Sequence, residues 1–80
     1  MPKFFFHLRD STDEVLDPDG VQMPLEAVAG AALLQARDCM SADVRKGTLD
    51  LHYRIDVHDE AGEVVHSLRF EDALEVLPPR

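Results

Sequence analysis

Hydrophobic and polar positions alternate from the start of the chain. In Lys3-Phe4-Phe5-Phe6-His7-Leu8-Arg9, Phe4, Phe6 and Leu8 fall on one face, and Phe5 and His7 on the other. Apolar side chains on both faces predict a strand in the interior of a sheet. Asp10-Ser11-Thr12-Asp13 is turn chemistry. A short, irregular second strand is expected over Glu14-Val15-Leu16 and Val21-Gln22-Met23, interrupted by the tight turn Asp17-Pro18-Asp19-Gly20.

The period then changes. Leu25, Val28, Ala29, Ala32, Leu33, Ala36, Cys39 and Met40 recur at three- and four-residue spacing, which predicts a helix that packs on the sheet by one apolar stripe. Pro24 suits the first helical position, where a missing N–H costs nothing. Glu26 complements the helix dipole at the start, Arg45 and Lys46 at the end, and Gly47 can take the left-handed conformation that stops a helix.

Alternation returns with Leu51, Tyr53, Ile55 and Val57 on one face and His52, Arg54, Asp56 and His58 on the other. Asp59-Glu60-Ala61-Gly62 connects this strand to the next. Pairing His58 with Glu63 sets Val57 against Val64, Ile55 against His66, Tyr53 against Leu68 and Leu51 against Phe70. A one-residue slip would turn Ser67 and Arg69 inward, so this register is expected. Phe70, Ala73, Leu74 and Leu77 have helical spacing and predict a last helical turn. The order β-β-α-β-β implies an α+β fold of two layers: a small antiparallel sheet with one long helix on one face. Residues 1–80 form a single domain, with 77–80 as a tail.

Charge narrows the functions. Sixteen acidic residues against eight basic ones leave a net charge of −8. Phosphate neutralisation by Lys and Arg supplies most nucleic-acid affinity, so DNA and RNA are poor partners, and so are anionic membranes. A basic protein partner fits the charge; so does a surface that is acidic for solubility alone. No apolar run approaches the ~18 residues of a membrane span. The N-terminal residues lack the apolar stretch of a secretion signal, so a cytoplasmic location is expected. A lone cysteine, Cys39, excludes an internal disulfide and suits a reducing compartment. A core this small supplies only about 3–5 kcal/mol, which makes self-association a natural source of further burial.

Candidate chemistry is sparse. With Gly20 at the sixth place of a calcium loop, Asp17, Asp19 and Glu26 take the third, fifth and twelfth, but Val15 stands at the first and Pro24 interrupts. An acidic turn leading into a helix accounts for the same residues. His52 and His58 share a strand face but lie roughly 20 Å apart in an extended chain. His58 with Glu63 supplies two zinc ligands where three or four are needed. His66 is the one inward position that breaks the apolar pattern. It can reach water at a sheet edge, be buried and hydrogen-bonded, or share a pocket with Cys39 and Tyr53. His7 and Asp10 resemble an acid–base pair but need not meet. Cys39 on the apolar helix face is expected to have a raised pKa, and no serine has a nucleophile-elbow context. No catalytic or cofactor-binding residue emerges. On the helix, Ala27, Ala31, Leu34 and Ala42 lie away from the main stripe and could form a dimer seam.

Three segments carry a resemblance. They are Phe4-Phe5-Phe6-His7-Leu8-Arg9-Asp10; Gly20-Val21-Gln22-Met23-Pro24-Leu25-Glu26-Ala27 before an Ala-rich helix; and Asp59-Glu60-Ala61-Gly62 followed by Phe70-Glu71-Asp72-Ala73-Leu74. Together they resemble the small bacterial domain-of-unknown-function family numbered 6894 across almost the whole chain. The family typically reads Leu-Pro-Asp-Leu-Glu-Ala before its helix, and this chain lacks that Asp. The resemblance implies the fold type and a bacterial, cytoplasmic origin, and no activity. The expected function is therefore a small non-enzymatic interaction or regulatory module that self-associates as a homodimer. An antitoxin-like or adaptor protein for a basic partner is the alternative, and a metal- or ligand-binding protein the second.

Overall fold

In the computed structural model, which describes residues 1–79, the chain forms five strands and one long helix. They are β1 (Lys3–Arg9), β2 (Glu14–Val15), β3 (Val21–Gln22), α1 (Val28–Arg45), β4 (Arg54–His58) and β5 (Val64–Arg69). The sheet is antiparallel, in the order β2-β1-β4-β5, with β3 also on β1. The fold is the expected α+β arrangement. β1 is interior because β4 takes one side, and β2 and β3 share the other: β2 opposite Leu8 and Arg9, β3 opposite Lys3 and Phe4. Arg80, the end of the expected tail, lies outside the described residues.

The core lies between the sheet and α1. Phe4 and Phe6 of β1 and Ile55 and Val57 of β4 are buried against Val28, Ala32, Ala36 and Met40 of the helix, closed at one end by Phe70 and Ala73. The buried helix positions repeat every fourth residue. Ala32 and Ala36, fully buried at the centre, leave room for the larger sheet side chains opposite. Leu25 and Ala29, expected in the stripe, are exposed. Leu25 leaves the core face because Pro24 caps a separate 3-10 turn, Leu25–Ala27, before α1 proper begins at Val28; Ala29, one residue past Val28 within α1, lies beside the buried row Val28, Ala32, Ala36 and Met40 rather than in it. At the other end, Gly47 has φ +88°. Its N–H bonds the Val44 carbonyl, and the Thr48 N–H bonds the Asp43 carbonyl, a Schellman stop.

The hairpin keeps the expected faces except at Val64, expected inward, which pairs with His58 and is exposed; the expected register is not kept. Val57 stands opposite His66 and Ile55 opposite Leu68, two places from the expected partners. Two features cause the slip. Gly62, at φ +84°, closes the Asp59 turn, with Gly62 N–H to Asp59 O and Asp59 N–H to Glu63 O. Val65 is then inserted as a bulge between the pairs His58–Val64 and Val57–His66. The strand also begins late. Asp50 accepts the His52 N–H, and this turn holds Leu51–Tyr53 out of β4, although Tyr53 O still accepts the Phe70 N–H. The final turn forms at Phe70–Asp72, tied to the helix by Arg37 Nε on Ala73 O at 2.8 Å; Leu77 stays exposed. No helix among the described residues is long and apolar enough to cross a membrane.

Candidate functional site

The helix covers one side of the sheet, and the other side carries the polar half of each alternating strand. Register places these side chains in rows across β1, β4 and β5: Arg9–Arg54–Arg69, then His7–Asp56–Ser67, then Phe5–His58. Three of the chain's eight basic residues thus stand side by side, an arrangement that costs energy unless carboxylates intervene.

Asp56 is the carboxylate at the centre. It is only 6 % exposed. Its Oδ2 accepts from Arg9 at 3.2 Å and Arg54 at 3.1 Å, and its Oδ1 from the Ser67 hydroxyl at 2.7 Å. Burial alone would raise its carboxyl; the bonds from Ser67, Arg54 and Arg9 outweigh burial and hold it below the usual 3.8. Glu14 takes the remaining side of Arg9 at 3.0 Å, and Glu71 and Asp72 flank Arg69. Asp56→Ala should cost about 2 kcal/mol in urea unfolding, because it strands a hydroxyl and two guanidinium donors. The gap to the wild type should close under acid. A depressed folded pKa contributes stability that is complete above the unfolded value of 3.8 and lost as the pH falls through the folded one.

The neighbouring rows hold an imidazole pair. His7 and His58 meet edge to face, with ring centroids 4.7 Å apart, and Phe5 stacks beside His7 at 6.4 Å. Nδ1 of His7 accepts the Asp17 N–H at 3.1 Å. Burial first, then His58 and Arg9, lowers the His7 pKa below 6.5. Nε2 of His58 is buried without a partner.

Asp17, Asp19 and Glu26, the calcium candidates, are placed differently from a loop of ligands. Both Asp17 oxygens hold backbone: Oδ2 the Phe6 N–H, Oδ1 the N–H groups of Asp19 and Gly20. Burial opposes ionisation of this carboxyl, and those three bonds, that of Gly20 foremost, lower its pKa nonetheless. Glu26 lies exposed in the 3-10 turn. Among the described residues, no three His, Cys, Asp or Glu side chains gather into a metal cluster. His52 lies outside the strand, bonded to Asp50, and His58 faces His7 rather than Glu63. His66 is half-buried on the edge strand β5, whereas Cys39 lines a groove of about 400 Å³ with Phe6, Leu8, Val15, Leu16 and Gln35, on the β2 side of the sheet. The two therefore share no pocket. Burial, then Asp43 and Asp38, pushes the Cys39 thiol up. Asp10 bonds Thr12 and Asp13 instead of His7. On the helix side, Ala27, Leu34 and Ala42 are exposed, and Ala31 is half-buried against the core.

The His7–His58 contact and the arginine row were not reached from the sequence. The polar alternation of each strand was visible there; the β1–β4 pairing that joins them spans a helix and carries no local signal. Comparison with known proteins adds one match: the family model described as "Domain of unknown function (DUF6894)" matches residues 3–71. No curated protein and no solved structure matches the chain.

Proposed function

Because the chain belongs to the family described as domain of unknown function DUF6894, a description that names no activity, we propose its role from its shape: a small, non-enzymatic cytoplasmic interaction module that pairs with a second copy of itself. The observation that carries this reading is the free edge of β5. β4 occupies one side of that strand, and among the described residues no strand pairs with the other. Phe70 bonds back to Tyr53, so alternate residues Leu68 and His66 also face β4, leaving the backbone of Ser67 and Arg69 turned outward. An edge of this kind is a template for another strand.

Charge selects the occupant. Antiparallel pairing about a two-fold axis at Ser67 sets Val65 against Arg69 of the second copy and His66 against Leu68 of the second copy. No like charges oppose, and two half-buried side chains on each copy gain cover. The bulge at Val65 ends the pairing there, so the dimer is expected to be short-seamed and concentration-dependent. The acidic loop supports self-association over a basic partner, since Asp10, Glu14 and Asp17 are already bound internally.

Light scattering during size-exclusion chromatography tests the reading. Twice the chain mass is expected at high concentration, reduced to one chain by Val65→Lys and unchanged by Leu34→Glu. A wild type that is monomeric throughout, or a dimer that Val65→Lys leaves intact, overturns the edge. Loss of the dimer with Leu34→Glu alone would transfer the interface to the helix.

A further inference from the structure

The edge of β1 that faces away from β4 has a gap. β2 covers Leu8 and Arg9, β3 covers Lys3 and Phe4, and among the described residues no strand covers Phe5–His7 on this edge. Asp17 fills the gap twice: its Oδ2 accepts the Phe6 N–H at 3.2 Å, and its own N–H donates to Nδ1 of His7 at 3.1 Å. A ring nitrogen that accepts a backbone N–H carries a lone pair, so His7 is neutral with its proton on Nε2. Protonation at Nδ1 would set donor against donor. The ring lies between Phe5 and His58.

We propose that His7 is a pH-operated latch on the Asp17–Gly20 turn. Neutral, it holds the turn against β1. Protonated, it drops the Asp17 N–H and loosens the turn, together with the Val15–Leu16 wall of the groove over Phe6 and Cys39. The groups around the ring divide. Arg9 on the same strand and His58 on β4 oppose the proton; Asp17 in the turn and Glu14 on β2 attract it. Asp56, its register partner on β4, is occupied by Arg9, Arg54 and Ser67. Burial, the largest influence, tips the sum towards the neutral ring. The unfolded chain therefore takes this proton more readily than the folded one. The latch contributes its full stability above 6.5 and loses it as the pH falls through the lower folded pKa. The latch does not rest on the dimer and is read out separately from it.

An NMR titration of the wild type, from about pH 8 to about pH 5, spans the range in which histidine changes charge. The His7 ring is expected to titrate below 6.5, with the amides of Phe6, Asp17 and Gly20 moving at the same midpoint. Loss of one neutral hydrogen bond should lower the Asp17 amide's exchange protection about fivefold. His7→Asn puts an oxygen acceptor near Nδ1 that cannot be protonated, and should keep that amide protected throughout. An Asp17 amide that stays fixed while His7 titrates overturns the latch, as does the same loss at the same midpoint in His7→Asn. Should that variant not fold, coincidence of the wild-type midpoints supports the latch and their separation refutes it.

Discussion

Phe70→Ala should remove about 3–5 kcal/mol of stability, the largest loss expected from any single truncation in this chain. Phe70 is 1 % exposed and heads the fully buried side chains by volume. Its ring packs on Tyr53 at 5.9 Å, and its N–H bonds the Tyr53 carbonyl. It thereby joins the end of β5, the start of β4 and the helix, through Ala73 and Arg37. Typical stabilities of about 0.05–0.15 kcal/mol per residue leave a domain of this size little reserve. The variant should unfold at far lower urea than the wild type, or not fold at all. Leu77→Ala, at a position 72 % exposed, is the control and should change stability by less than about 0.5 kcal/mol. A loss below about 1 kcal/mol for Phe70→Ala would mean that the last turn does not belong to the core.

The second large effect is expected at Asp17. Replacement by Ala removes the acceptor of three backbone N–H groups at once, those of Phe6, Asp19 and Gly20. The Phe6 N–H sits in the gap of the β1 edge, where it loses its partner outright; the turn amides are nearer to solvent. The expected cost is about 2–4 kcal/mol, read as a shift of the urea midpoint with an unchanged slope. Asp17→Asn, which keeps one acceptor and gives up the charge, should fall between. The contribution is complete above the unfolded carboxyl value of 3.8 and disappears as the pH falls through the lowered folded pKa, so variant and wild type should converge in acid. The turn also depends on Gly20. Its φ is +71°, and a Cβ there would lie 2.8 Å from Lys3 Cγ and 2.9 Å from Phe5 Cε2. An equal loss from Asp19→Ala would show that the turn is held by charge in general rather than by the Asp17 bonds.

Asp17 illustrates how the sequence can be informative and still misdirect. The acidic Asp-Pro-Asp-Gly turn was evident, and a partial calcium pattern was the sharpest motif available. The carboxylate instead does what a missing strand would do, and only the break between β2 and β3 creates that need. The hairpin is similar. Alternation required Val57, Ile55, His66 and Leu68 to share a face, and they do. Alternation repeats every two residues, so a slip of two keeps these four on one face; the Asp59–Gly62 turn and the bulge at Val65 together decided the register, and they left Val64 exposed opposite His58. For the helix, spacing located the stripe, but not the 3-10 turn that moves Leu25 out of it.

Local patterns determined the main elements, their order, most of their buried faces, and the glycine that ends the helix, because these follow from side-chain period and backbone conformation within a few residues. The cross-strand rows, with Arg9 beside Arg54, His7 against His58 and Asp56 beneath two guanidiniums, were decided by the tertiary structure alone. They depend on pairing β1 with β4 across about 45 intervening residues. Many sequences with the same alternation could make that pairing in other registers, and the choice among them rests on how the helix and the last turn fill the shared core.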